Sequence, residues 1–265
     1  MAGERTITFA VATYGTGEIL ESNFLASPCL RKPHSHQILV QRDYSSAAKA
    51  YNEAIDRAEN DLLVFAHQDM IFPESWISHL ERALDWLEAA DAGWGVLGCY
   101  GRSKDGNAHG CIYSPGRRVI GKPFERPMPV ETLDEIVLIV KRSSELRFDE
   151  HLPHFHLYGT DICLRAAKVG MRSYAIPAFC IHNAHQYVVL PKEFYECCRH
   201  IARVWKEYLP IQTTCLRITR FSLPMYRRRL GEAYVQHIRD QAFIAPRAQD
   251  VPELLQQAAS AVLDM

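Results

Sequence analysis

Three stretches of the chain place ionisable side chains where chemistry is commonly done. The first is His67-Gln68-Asp69, which directly follows the apolar run Leu62 to Ala66. A run of this kind, with a β-branched residue and an aromatic, suits a strand buried on both faces of a parallel sheet. Ligands of open α/β sheets bind at the carboxyl ends of such strands, so this polar corner is the first place to look. The second stretch is Phe148 to Gly170, where Ile162, Cys163, Ala166 and Val169 share a helical face and Asp161 falls at the helix start. Spacing leaves open whether Asp161 or Thr160 merely caps that helix or meets a ligand. The third runs from Cys180 to His185, where His182 and His185 leave a strand. Two histidines near a sheet edge suit ordinary hydrogen bonding as well as metal ligation. His34, His36, His151, His154 and His156 form a further set whose places in space the sequence does not fix.

The elements that must position these residues follow from periodicity. Thr6 to Ala12 reads as a first strand, running into a Thr13-Tyr14-Gly15-Thr16-Gly17 loop. That loop lacks the third glycine of the dinucleotide fingerprint, since position 20 is Leu20, and no phosphate-binding Gly-x-x-x-x-Gly-Lys motif is present. Ile38 to Val40 is a second strand. Ser45 or Ser46 caps a helix with Ala47, Tyr51, Ala54, Ile55 and Ala58 on one stripe, leaving Lys49 and Asn52 off it. A strand, helix and strand with short joints require parallel pairing and a right-handed crossover. Thr13-Tyr14 and His67-Gln68-Asp69 then line the same sheet edge. Pro73 opens an amphipathic helix through Trp76, Leu80, Leu84 and Leu87, and Trp94 to Tyr100, Ile136 to Val140 and Ser173 to Pro177 read as further strands. Residues 101 to 129 read as a long loop with a hairpin around Ile112 to Val119.

Composition sets limits on function. With 30 basic and 31 acidic side chains in 265 residues, the net charge of −1 gives no electrostatic reason to expect a nucleic-acid partner. Eight cysteines include no Cys-x-x-Cys pair, and no run approaches the roughly 20 apolar residues of a membrane span. A reduced, soluble, cytoplasmic protein is expected. Beyond position 190 the pattern becomes helical, giving a division into a domain of residues 1–190 and a C-terminal extension of 191–265. Phe194, Cys197, Cys198, Ile201 and Trp205 recur at helical intervals, as expected of core packing. In segment 217–229, Arg217, Arg220, Arg227, Arg228 and Arg229 alternate with large apolar residues. Such a segment is either a solvated basic face or a contact for an anionic acceptor or the inner face of a membrane. The helical pattern from Leu254 to Leu263 packs internally or pairs with a second subunit.

Taken together, strand-Thr13-Tyr14, the helix with Lys49 and Asn52, Asp61 to Pro73 around His67-Gln68-Asp69, Tyr158-Gly159-Thr160-Asp161-Ile162-Cys163-Leu164-Arg165 and a distal His182 resemble a family 2-type glycosyltransferase of the GT-A fold. The closest resemblance is to the branch with a His-Gln-Asp corner in place of Asp-x-Asp. It implies an α/β fold with a Rossmann-like mixed sheet flanked by helices, followed by the helical C-terminal region. The implied activity moves a sugar from a nucleotide-diphosphate donor to an acceptor hydroxyl, with inversion. The resemblance assigns Asp69 and His182 to a divalent metal and Asp161 to the catalytic base. It places Thr13, Tyr14 and Asp43 around the base and ribose, Lys49 near the phosphates, and Asn52, His67 and Gln68 in the same donor site. His156 and Tyr158 are candidates for the acceptor side, which takes a glycan, a lipid-linked sugar or another hydroxyl compound. Mn2+ or Mg2+ is the implied cofactor, with an imidazole ligand favouring manganese. Two other readings use the same scaffold: a binding protein that holds a nucleotide or glycan without turnover, and a nucleotidyltransferase.

Overall fold

The structure, a computed structural model, describes residues 5–31, 35–116, 118–184, 186–187, 189–221, 223–238, 243–245, 247–248 and 250–263. In chain order the elements begin β1 (Ile7–Thr13), α1 (Glu18–Ser22), β2 (Gln37–Arg42), α2 (Ala47–Arg57), β3 (Leu62–His67), β4 (Met70–Ile71) and α3 (Trp76–Ala90). There follow β5 (Val96–Gly98), β6 (Tyr100–Arg102), β7 (Ala108–Ser114), β8 (Arg118–Lys122), β9 (Met128–Val130), β10 (Thr132–Leu133), β11 (Val137–Lys141) and α4 (Tyr158–Lys168). The remainder comprises β12 (Ser173–Ala175), β13 (Cys180–His182), β14 (Gln186–Tyr187), α5 (Lys192–Val204), β15 (Ile211–Gln212), β16 (Arg217–Ile218), α6 (Leu223–Ile238), β17 (Phe243–Ala245) and α7 (Val251–Leu263).

The main sheet has the order β2-β1-β3-β11-β5-β12-β9. β1 pairs in parallel with both β2 and β3, as the strand-helix-strand pattern requires, whereas β11 runs antiparallel to β3 and makes the sheet mixed. Period-two alternation divides the central strands between two cores. Ala10, Leu63, Phe65, Leu138 and Val140 pack with the apolar faces of α2, α4 and α5. Phe9, Val11, Val64, Ala66, Val137 and Ile139 face α1 and α3, where Phe72 and Trp76 lie with ring centroids 4.3 Å apart. Ser46 caps α2, its hydroxyl accepting from the Lys49 amide at 3.4 Å.

Two expectations are corrected by the tertiary structure. The segment 101–129 has the expected hairpin, as the β7–β8 pair, but the rest is no simple loop: it also carries β6 and β9, and β6, β7 and β8 enter the second sheet, ordered β10-β6-β7-β13-β4 with β8 paired to β7. Its glycines and charges hide that role, because the strands are short and pair with partners distant in sequence. Past residue 190, α5 buries Phe194, Cys197, Cys198, Ile201 and Trp205 in the same core as β3 and α4. That region also carries the β15–β16 hairpin, so it is not purely helical. Among the described residues no helix is long and apolar enough to cross a membrane.

Gly159 fixes how closely α4 approaches the turn between β10 and β11. A Cβ built there would lie 2.8 Å from the Leu133 carbonyl oxygen and 3.3 Å from Glu135 backbone atoms. Gly159→Ala therefore forces backbone apart, and overpacking of this kind costs about 1–3 kcal/mol. Urea unfolding should show the midpoint lowered with an unchanged slope; an unchanged midpoint would show that the helix yields freely.

Candidate active site

The polar corner is assembled by two strand pairings. In the first, β1 and β3 set Ala12 opposite His67, which places the next residues, Thr13 and Gln68, side by side. The Thr13 hydroxyl donates to Gln68 Oε1. In the second, the antiparallel pairing of β4 with β13 sets Met70 opposite His182, and the Asn183 amide donates to the Asp69 carbonyl at 2.9 Å. Residues more than a hundred apart in sequence thus converge. One ligand atom from each of His67, Asp69 and His182 lies within 4.8 Å of the others. His182 Nε2 is 3.4 Å from Asp69 Oδ1, and the two imidazole rings stand edge to face at 5.6 Å.

Protonation follows from the neighbours. Burial works against a charged Asp69, but His182, His67 and Arg247 outweigh it and hold the carboxyl well below the usual range. Burial also opposes a charged His182, yet the adjacent Asp69 raises it above its ordinary value. For His67, burial and then His182 push the value down to about 4, so the ring is neutral at neutral pH. Its tautomer can be deduced. The Tyr158 hydroxyl donates its only proton to the Glu135 carbonyl at 3.0 Å, and lies 2.9 Å from His67 Nε2. With that proton on the Glu135 carbonyl, Tyr158 accepts from Nε2–H, an assignment that leaves the Nδ1 lone pair of His67 free for a ligand. Two neutral-capable imidazoles and an ionised carboxylate form a donor set suited to a divalent transition cation.

A sequence profile of the Glycosyltransferase like family matches residues 29–197, well over half of the chain, and includes His67, Gln68, Asp69 and His182. The chain belongs to that family. Family membership accords with the fold resemblance to GalNAc-T7, solved with UDP, GalNAc and Mn2+: the TM-score is 0.53 at 12% identity, covering 98% of this chain and 55% of that one. The fold is the GT-A fold of glycosyltransferases. PcManGT, a mannosyltransferase of Pyrobaculum calidifontis solved with GDP-Man and Mn2+, aligns at a TM-score of 0.47 and 16% identity, over 98% of this chain and 74% of its own. TarS 1-349 of S. aureus aligns at 0.44 and 14%, over 75% and 64%. A protein of Fuscovulum blasticum, described as ATP synthase subunits region ORF 6, is 27% identical over 165 residues, or 60% of this chain. The chain spans 66% of that relative's length.

Within this family member, the residues expected at the site divide into three groups. His67, Gln68, Asp69, His182 and Thr13 are brought together as described. Tyr14 and Asp43 are exposed beside them at the strand ends, Asp43 with φ of 60° and its amide donating to the Thr13 carbonyl at 3.2 Å. Lys49 projects to solvent from α2. His156 is half-buried with its ring against Phe194, and its charge acts on His67. His34 and His185 lie outside the described residues.

Three assignments change. Asn52 is buried, and its side chain donates to the Phe148 carbonyl and Glu150 and accepts from the Phe148 amide, so it ties α2 to the 148–150 turn and has no group left for a donor. Tyr158 is 2% exposed and orients His67 from below, out of an acceptor's reach. Asp161 lies in the first turn of α4, which begins at Tyr158, and is wholly buried. Its Oδ2 accepts from Arg165 Nε at 2.6 Å and its Oδ1 from Trp205 Nε1 at 2.7 Å. Arg165 also meets Asp149, which receives His200 at 2.9 Å. Asp161 fastens α4 to α5 and shows no face to an acceptor.

Residues that sequence reasoning missed also reach the corner. Arg247 donates through Nη2 to Asp69 Oδ2 at 2.9 Å and through Nε to the Asn183 carbonyl at 2.6 Å. No sequence pattern marks that arginine. Asp134 and Glu135, half-buried in the turn before β11, sit next to Ile136, whose carbonyl accepts from the His67 amide at 3.1 Å. The charge of Asp134 acts on His67, His182, Tyr158, Tyr100 and Cys215. An acidic pair between an apolar strand and a tight turn was the available signal. The division of labour is measurable: Asp161→Asn strands one of two buried donors and should cost about 1–3 kcal/mol in chemical unfolding, while Asp134→Asn should leave stability within about 0.5 kcal/mol. Equal stability of the two variants would contradict a structural role for Asp161.

Proposed function

We propose that the chain transfers a sugar from a nucleotide-diphosphate donor to an acceptor hydroxyl, with a divalent cation held by His67, Asp69 and His182. The observation that carries this reading is the convergence of those three ligand atoms within 4.8 Å at the carboxyl end of β3 in a GT-A fold. The donor class follows the precedent of GalNAc-T7, which holds UDP and Mn2+ on the same fold. Two imidazoles favour manganese over magnesium or calcium, which prefer all-oxygen shells. A bound cation supplies neutralisation of the charge that grows on the diphosphate leaving group.

The chain's own residues do the rest. His67 offers Nδ1 because Tyr158 fixes its tautomer, and Asp69 stays ionised across the neutral range. Arg247 adds a permanent positive charge beside Asp69, where a diphosphate needs one. The acceptor hydroxyl needs a carboxylate to take its proton, and with Asp161 enclosed, Asp134 is assigned that role. Glu135 is poorly placed for it: its Oε1 accepts from the Leu157 amide at 3.0 Å, and burial, then the charge of Asp134, raises it to about 8. One base acting on one acceptor, with no second nucleophile, gives direct displacement with inversion.

Two measurements bear on this. Release of nucleoside diphosphate from a panel of UDP- and GDP-sugars should fall about 10²- to 10⁴-fold in Asp134→Asn. An Asp134→Asn enzyme of full activity would remove the base assignment, and binding of donor without release of nucleoside diphosphate in the parent protein would favour a binding protein. Second, metal and proton compete for His182, whose value is raised by Asp69. Below that raised value Mn2+ affinity should fall by about tenfold per pH unit, with proton release visible by titration calorimetry in buffers of differing ionisation enthalpy. Affinity that stays flat as pH is lowered through the histidine range would exclude His182 from the ligand set.

A further inference from the structure

The helix α6 is turned inside out. Leu223, Tyr226, Leu230 and Tyr234 recur at intervals of three and four residues and so share one face, and they are 57%, 48%, 71% and 66% exposed. Phe221, just before the helix, is 75% exposed. The opposite face makes the intramolecular contacts: Arg228 donates to Glu232 and to the Cys215 carbonyl, and Arg229 lies over the Tyr195 ring. A surface helix normally buries its apolar stripe and exposes its charges. Here the apolar stripe is what meets solvent, and a contiguous apolar patch of this kind marks an interaction surface.

The charges around the stripe say what it meets. From Tyr208 to Gly231 the sequence holds five arginines and no acidic residue. Arg217 and Arg220 are exposed and, with Arg199 and Arg203 of α5, line a cavity of about 270 Å³ that opens beside Phe221. Arg217, Arg220 and Arg227 have no ion-pair or hydrogen-bond partner among the described residues, whereas Arg228 is fully engaged. Unpaired guanidinium groups ringing exposed aromatic and leucine side chains match an anionic headgroup layer, in which the rings enter the interface and the arginines meet phosphate. A second protein would need a complementary acidic face, and this chain's own surface is near neutral overall.

We propose that the α6 stripe and the Arg199–Arg203–Arg217–Arg220 cavity form a docking surface for an acidic lipid bilayer. The surface is coupled to the catalytic corner through the β15–β16 hairpin: Arg228 holds the Cys215 carbonyl, and Thr132 donates to the Gln212 carbonyl within two residues of Asp134.

Vesicle co-sedimentation tests the surface independently of any transfer activity. The full chain should pellet with vesicles containing phosphatidylglycerol but not with phosphatidylcholine alone, and high salt should weaken the binding. The triple variant Arg217→Ala, Arg220→Ala, Arg227→Ala changes only exposed, unpartnered side chains and should lower partitioning on the order of 100-fold. The double variant Leu230→Ser, Tyr234→Ser should lose binding by the apolar route. Absence of pelleting with acidic vesicles, or pelleting unchanged in the triple variant, would overturn the proposal. So would a concentration-dependent dimer that Leu230→Ser abolishes, since it would assign the stripe to a second copy of the chain.

Discussion

Burying the Asp69 carboxylate in the seam between β4 and β13 is costly unless opposite charge surrounds it, and removal of such partners from a buried ion costs several kcal/mol. His182 and Arg247 supply that charge, and the neutral ring of His67 adds a third neighbour, so that three separate parts of the chain meet at the carboxylate. The corner therefore exists only in the folded protein. Each partner is held by backbone: His182 by its pairing with Met70, His67 by the end of β3, and Arg247 by its hold on Asn183. A cation-shaped arrangement of ligands is what remains when a buried anion is ringed in this way, and its geometry is rigid because sheet hydrogen bonds set it.

The imidazole of His67 shows how far that rigidity extends. Its tautomer depends on Tyr158, Tyr158 on the Glu135 carbonyl, and both on the closeness of α4 to the β10–β11 turn that Gly159 permits. The next turn of the same helix is pinned from the other side by Asp161, through Arg165 and Trp205. α4 thus serves as a bolt between the polar corner and α5. Asp161 is valuable to the site without touching it, since a helix that rocked would carry Tyr158 away from His67.

Much of this was legible in the sequence where periodicity is strong. The apolar runs of β1, β3 and β11, the Ser46 cap and the polar corner after Ala66 all carry local signals that the fold respects. The illegible parts have a common cause, which is that burial is decided by partners distant in sequence. Asn52 and Asp161 look like ligand-binding polar residues until Phe148 and Trp205 arrive to satisfy them. The β7–β8 hairpin was legible, but strands β6 and β9 read as loop because three residues each carry too little period to register. Asp134 gains its meaning only from the histidines that the two sheets deliver beside it.

The family profile ends at residue 197, and Arg247 and the α6 surface both lie beyond it. The polar corner is accordingly built from two sources. His67, Asp69 and His182, the acidic turn and the helix that steadies them belong to the matched region, where the sheet fixes positions. The guanidinium on Asp69 comes from the C-terminal segment, held by three hydrogen bonds with Asn183 and by α7, whose Val251, Leu254 and Ala258 pack on Ile71, Tyr113 and Ile181. Ile71 and Ile181 lie on the same paired strands that bring Asp69 to His182. A change in how the C-terminal region sits is therefore felt directly at the carboxylate. That coupling gives the part of the chain outside the profile a physical route by which it can set charge at the corner, while the chemistry itself stays with the sheet.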